Sequence, residues 1–68
     1  MSFQKAVEER KKRIQRLKQL IEENPDKPLD VILALFAVET GVTERTARKY
    51  LRLLRKAGML GAHTQQQQ

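Results

Sequence analysis

Helix breakers constrain this chain more than any other feature. Its two prolines, Pro25 and Pro28, and its three glycines, Gly41, Gly58 and Gly61, cut 68 residues into three helix-length segments and a short tail. Residues 3 to 23 lack both residue types and are rich in Glu, Lys, Arg, Gln and Leu, all good helix formers, so a first helix is expected there. At about 100° per residue Phe3, Val7, Ile14, Leu17 and Ile21 fall on one narrow, nearly heptad seam, with Leu20 at its margin and Arg10 interrupting it. The break comes at Asn24-Pro25, because Pro25 lacks a donor N–H and pushes Asn24 away from helical geometry.

The segment from Leu29 to Thr40 is short and strongly apolar, a pattern that by periodicity alone also fits a buried strand. Ala34, Leu35 and Ala37 favour helix, Asp26 or Asp30 can cap its start, and Gly41 suits the residue just past a helix C-terminus. Apolar nearly all round, this second helix is expected at the centre, enclosed by the other two and by any partner. Thr43 then offers an N-cap hydroxyl and Glu44 a negative charge in the first turn, so a third helix should run from residue 44 to about Ala57 and stop at Gly58. Met59 and Leu60 are expected to fold back on the core. Residues 61 to 68, with His63 and four terminal glutamines, have nothing that could pack and are expected to be a disordered polar tail. The fold class is therefore all-α, one tri-helical domain over residues 1 to 60 with a long N-terminal helix.

A chain this short buries only about 60% of the surface its unfolded form exposes, so its stability needs help. With no cysteine and a single histidine, neither a disulfide framework nor a metal site can provide it, and no cofactor is implied. Self-association or partner binding is the expected source. The longest apolar run, Val31 to Val38, has eight residues where a bilayer span needs about twenty. No secretory signal pattern opens the sequence, and a cytoplasmic protein is expected, associated with the nucleoid if the source is prokaryotic.

Fourteen Lys and Arg against eight Asp and Glu give a net charge of +6, which makes polyanions the natural partners. The third segment concentrates that charge. Projected as a helix, Ala47, Tyr50, Leu51, Leu53, Leu54 and Ala57 occupy one side, while Arg45, Arg48, Lys49, Arg52, Arg55 and Lys56 share an arc of about 120° on the other. Solvated helix faces usually interleave Glu with Lys to gain ion pairs, whereas like charges four residues apart cost about 0.2–0.5 kcal/mol per pair. A bound polyanion offsets that cost.

The run Phe36-Ala37-Val38-Glu39-Thr40-Gly41-Val42-Thr43-Glu44-Arg45-Thr46-Ala47-Arg48-Lys49-Tyr50-Leu51 resembles the helix-turn-helix of transcriptional regulators. Ala37 and Ala47 are small where helices cross, Gly41 is permissive at the turn, Val42 is apolar beneath it, and Tyr50 is bulky and buried. The continuation from Leu51 to Leu60 resembles the end of the recognition helix in winged-helix proteins, so the two likenesses cover residues 29 to 60. Only eight residues follow Leu60, too few for a two-stranded wing, so either the wing is lost or the chain is truncated, and a core with no complete wing is expected. The resemblance implies double-stranded DNA as partner, with Thr43, Glu44, Arg45, Arg48, Lys49 and Arg52 at positions that face the major groove or its flanking phosphates. In that setting Arg45 and Arg48 could read guanine O6 and N7, and Glu44 could accept from cytosine N4. Lys49, Arg52, Arg55 and Lys56 would neutralise phosphates. Dipole partner for Glu44 and cap for Thr43 are the plainer roles.

The first helix carries Arg10, Lys11, Lys12, Arg13, Arg16 and Lys18, but they spread around its circumference among Glu8 and Glu9, the pattern of a solvated surface. Part of its heptad-like seam could pair with a second copy, setting two recognition helices about 34 Å apart on a palindromic site. No enzyme is expected, since there is no cysteine nucleophile and no paired-carboxylate pocket. A protein-docking module of a nucleic-acid-handling assembly is the main alternative, because such folds serve both roles. RNA is disfavoured by the lack of exposed aromatic residues on the cationic stripe.

Overall fold

The computed structural model describes residues 2–60, with side chains from Gln4 onward. It consists of three helices: α1 over Ser2–Glu23, α2 over Leu29–Thr40 and α3 over Glu44–Lys56, with no strand among the described residues. The side chain of Phe3, together with His63 and the tail 61–68, lies outside the described residues. All three helices pack on one another.

The chain between the helices is shaped by local chemistry. The Asn24 side chain donates to the Leu20 carbonyl at 2.8 Å and closes α1 before Pro25. At the start of α2 the residue in the cap position is Pro28, in extended conformation, and no side chain caps the helix. The expected cap from Asp26 or Asp30 does not form, because Asp30 already sits inside the first turn and there acts only on the dipole. Pro28 still contributes its carbonyl, which accepts from the Val31 and Ile32 N–H groups. At the other end Gly41 adopts φ 83° and its N–H bonds the Ala37 carbonyl at 2.8 Å. This is the left-handed residue that commonly ends a helix. α3 ends in a Schellman motif: Gly58, at φ 68°, donates to Arg55, and Met59 donates to Leu54. That reversal carries Leu60 back into the core at 7% exposure, while Met59, expected to fold back with it, stays 39% exposed.

The core is one cluster: Leu17, Leu20 and Ile21 from α1, Ile32, Leu33 and Phe36 from α2, Ala47, Tyr50, Leu51 and Leu54 from α3, and Leu60. Phe36 is wholly buried and meets Tyr50 edge to face, with centroids 6.1 Å apart and planes at 74°. Arg10, the interruption in the α1 seam, places its guanidinium 6.0 Å from the centroid of the Tyr50 ring, so a cation covers an aromatic face where an apolar residue was missing. α1 is also clamped to the end of α2. Arg16 donates from Nε and Nη2 to the two Glu39 carboxylate oxygens at 2.6 and 3.1 Å, and this hydrogen bonding holds the Glu39 carboxyl below its usual range.

The sequence places Leu53 and Ala57 on the buried side of α3, but both are exposed. They lie at the margin of the apolar arc, where no helix covers them, and only Ala47, Tyr50, Leu51 and Leu54 are buried. The α1 seam is likewise covered over only part of its length, since Leu17 and Ile21 are buried and Val7 is 41% exposed. α2 is not enclosed all round, because Val31, Leu35 and Val38 face outward.

Two stability predictions follow from these contacts. Phe36→Ala should cost about 3–5 kcal/mol, comparable with the whole stability of a chain this size at about 0.05–0.15 kcal/mol per residue. Its far-ultraviolet circular dichroism should show a largely unfolded protein at 25 °C, and a folded one with an unshifted urea midpoint would contradict this core. Gly41→Ala meets no atom within 4 Å of the added methyl, so only the positive φ opposes it. A loss of about 1–2 kcal/mol is expected, read as a lower urea midpoint at constant slope.

Candidate nucleic-acid interface

α3 is set up by its first turn. Thr43 is the N-cap, its hydroxyl accepting from the Thr46 N–H at 3.1 Å and donating to the Thr46 hydroxyl at 3.2 Å. Both capacities of that hydroxyl are therefore engaged in starting the helix. Glu44 lies in the first turn, and Arg55 and Lys56 lie in the last, so charges of the favourable sign sit at both ends of the dipole.

Burial of Ala47, Tyr50, Leu51 and Leu54 turns the opposite side of α3 to solvent. Arg45, Arg48, Lys49, Arg52, Arg55 and Lys56 are all exposed, as are Thr43 and Glu44, so every residue singled out from the sequence is brought to one end or one side of a single helix. One carboxylate approaches the stripe: Glu44 stands 3.9 Å from Arg48, with both side chains more than half exposed. At that distance and exposure the pair contributes little, and Arg48 is free to turn elsewhere. Among the described residues no ion pair forms to the other five cations.

The stripe has two edges with different surroundings. Arg48, Arg52 and Arg55 border a cleft of about 370 Å³ between α3 and the first turn of α2, whose floor is Leu29, Leu33 and Leu51. Asp30 also lines it. Arg45, Lys49 and Lys56 occupy the other edge and are absent from the cleft. Sequence reasoning treated Asp30 only as a cap candidate. Its place beside three arginines follows from how α2 packs on α3, which no local pattern in the sequence signals.

The cations of α1 are arranged differently. Arg16 is held by Glu39, and Lys18 is paired with Glu22 at 2.8 Å one turn on. Lys11, Lys12 and Lys18 with Gln15 and Gln19 line a shallow depression on the outward side of the helix. This interleaving of charges is that of a solvated surface, in contrast to α3.

Among the described residues no group of three or more His, Asp or Glu side chains is placed to hold a metal ion, and no helix is long and apolar enough to cross a membrane. The chain matches no protein-family model, no curated protein and no solved structure.

Proposed function

We propose that this chain binds double-stranded DNA, with α3 laid in the major groove, as a small transcriptional regulator of helix-turn-helix type. The observation that carries the reading is the exposure of six cations on one side of α3, with only Glu44 among the described carboxylates coming within 4 Å of any of them, at 3.9 Å. The dimensions agree: 13 residues make a rod about 20 Å long and 10–12 Å across, and the major groove is about 12 Å wide. The likeness of residues 36 to 51 to known helix-turn-helix segments supports the same assignment.

On this reading Arg45 and Arg48, in the first turns, reach base edges, and Lys49, Arg52, Arg55 and Lys56 neutralise phosphates along the groove. Glu44 serves chiefly at the helix dipole and Thr43 as a cap that leaves its backbone close to the duplex. Asp30, beside Arg48, Arg52 and Arg55, keeps that edge of the stripe less attractive to phosphate than the edge carrying Arg45, Lys49 and Lys56. The competing reading, a protein-docking subunit, draws on the exposed apolar residues of α2.

The two readings differ in salt dependence. With four to six phosphates neutralised, log K plotted against log salt should fall with a slope of about −4 to −5. A docking module would bind a protein partner and show only feeble duplex affinity at every salt concentration. Position matters as well as charge, so Arg48→Glu should abolish duplex binding in a gel-shift titration while the helical circular dichroism stays unchanged. Lys12→Glu, the same charge change on the outward side of α1, should weaken binding far less. Equal losses from the two variants would remove α3 as the recognition element.

A further inference from the structure

The cleft between α3 and the first turn of α2 carries charges of both signs. Asp30 belongs to the α2 wall, and Arg48, Arg52 and Arg55, each one turn from the next, belong to the α3 wall. Among the described residues Asp30 forms no ion pair, and the three arginines have none beyond the 3.9 Å approach of Glu44 to Arg48. Opposite charges thus line one opening without closing on each other. Beneath them the floor is aliphatic: Leu33 and Leu51 are core residues at 4% and 7% exposure, and Leu29 is half-buried against the core. At about 370 Å³ the cleft has the size of a small-molecule site, typically about 300–1,000 Å³.

We propose that this cleft binds a free α-amino acid with a large apolar side chain. Its carboxylate accepts N–H donors from the arginines, whose planar forks suit bidentate pairing with a carboxylate. Its ammonium donates to the Asp30 carboxylate on the other wall. Its side chain lies on the three leucines and removes apolar surface from water. Other small ligands fit worse. A purely anionic one sets Asp30 against a like charge, and an uncharged one takes water from charged groups and returns no hydrogen bond. A zwitterion with an apolar body meets all three surfaces.

The cleft is open on one side and the ligand is small, so a dissociation constant on the order of 1 mM is expected. One consequence rests on the DNA-binding reading. Arg48 and Arg52 serve both ligands there, so an occupied cleft withdraws them from the duplex and lowers its affinity.

Binding is tested without DNA, by nuclear magnetic resonance titration of the whole chain with L-phenylalanine. Amide signals of Leu29 to Leu33 and of Leu51 to Arg55 should shift saturably, and those around Lys12 should not. Phenylalaninamide lacks the carboxylate and N-acetylphenylalanine lacks the ammonium, and each should bind about tenfold more weakly. Glycine, without an apolar body, should give no saturable shift. Asp30→Asn should weaken phenylalanine binding about tenfold while N-acetylphenylalanine binds no worse, and Asp30→Glu should restore most of the loss. Asp30 is exposed, and circular dichroism will verify that both variants keep the fold. No saturable shift with phenylalanine up to about 20 mM, equal binding of N-acetylphenylalanine, or indifference to Asp30→Asn would each overturn the proposal. Saturating phenylalanine should also weaken duplex binding about tenfold in a gel-shift titration. Unaltered duplex binding with the cleft occupied would overturn the coupling. A chain that takes up phenylalanine and no duplex at all would support the cleft assignment and remove the function proposed above.

Discussion

Burial of Ala47, Tyr50, Leu51 and Leu54 in the common core sets how α3 is rolled about its axis, and everything on its other side follows. Three like-charged pairs four residues apart, Arg45 with Lys49, Arg48 with Arg52 and Arg52 with Lys56, oppose helix formation by about 1 kcal/mol in all. Sinking one large apolar side chain is worth about 1.5–3 kcal/mol, so the four buried residues outweigh the repulsion. The cations are held close together by contacts made on the opposite face. Tyr50 is central to this balance, since Phe36 meets its ring at the edge and Arg10 covers its face.

The start of α3 is fixed by a few strong local devices. Gly41 turns the chain through a left-handed residue, Thr40 donates back to the Phe36 carbonyl at 2.8 Å, and Thr43 caps the new helix. Next to this turn, Glu39 is gripped by Arg16, which ties the end of α2 to α1. The turn is thus tied to α1 close to where the first cations of α3, Arg45 and Arg48, begin. On the function proposed above this matters, because displacements of an ångström would misplace bidentate hydrogen bonds to base edges.

α2 is the least polarised helix, and its two sides do different work. Its inner side supplies Ile32, Leu33 and Phe36 to the core, whereas its outer side is equally apolar but uncovered. A domain of this size has little core to spare, and an apolar helix face left in water is a cost that association removes. The same helix carries only acidic charges, Asp30 and Glu39.

Much of the fold could be read along the chain, because breakers and caps act over a few residues. Pro25 and Pro28, Gly41 with Thr43, and Gly58 mark where the helices end and begin, and the 3.6-residue repeat of α3 separates its two faces. The exposed set Arg45, Arg48, Lys49, Arg52, Arg55 and Lys56 was legible for the same reason. What the neighbours of each helix would be was not. Projection cannot say how wide an arc the other helices cover, so Leu53 and Ala57 emerge in solvent and Val7 is uncovered. The long-range partners, Arg10 over Tyr50, Arg16 on Glu39 and Asp30 beside Arg48, Arg52 and Arg55, join residues 18 to 40 positions apart in sequence. Helix periodicity carries information over a turn or two, whereas contact between helices depends on how all three faces close on one core, and only the packed chain decides that.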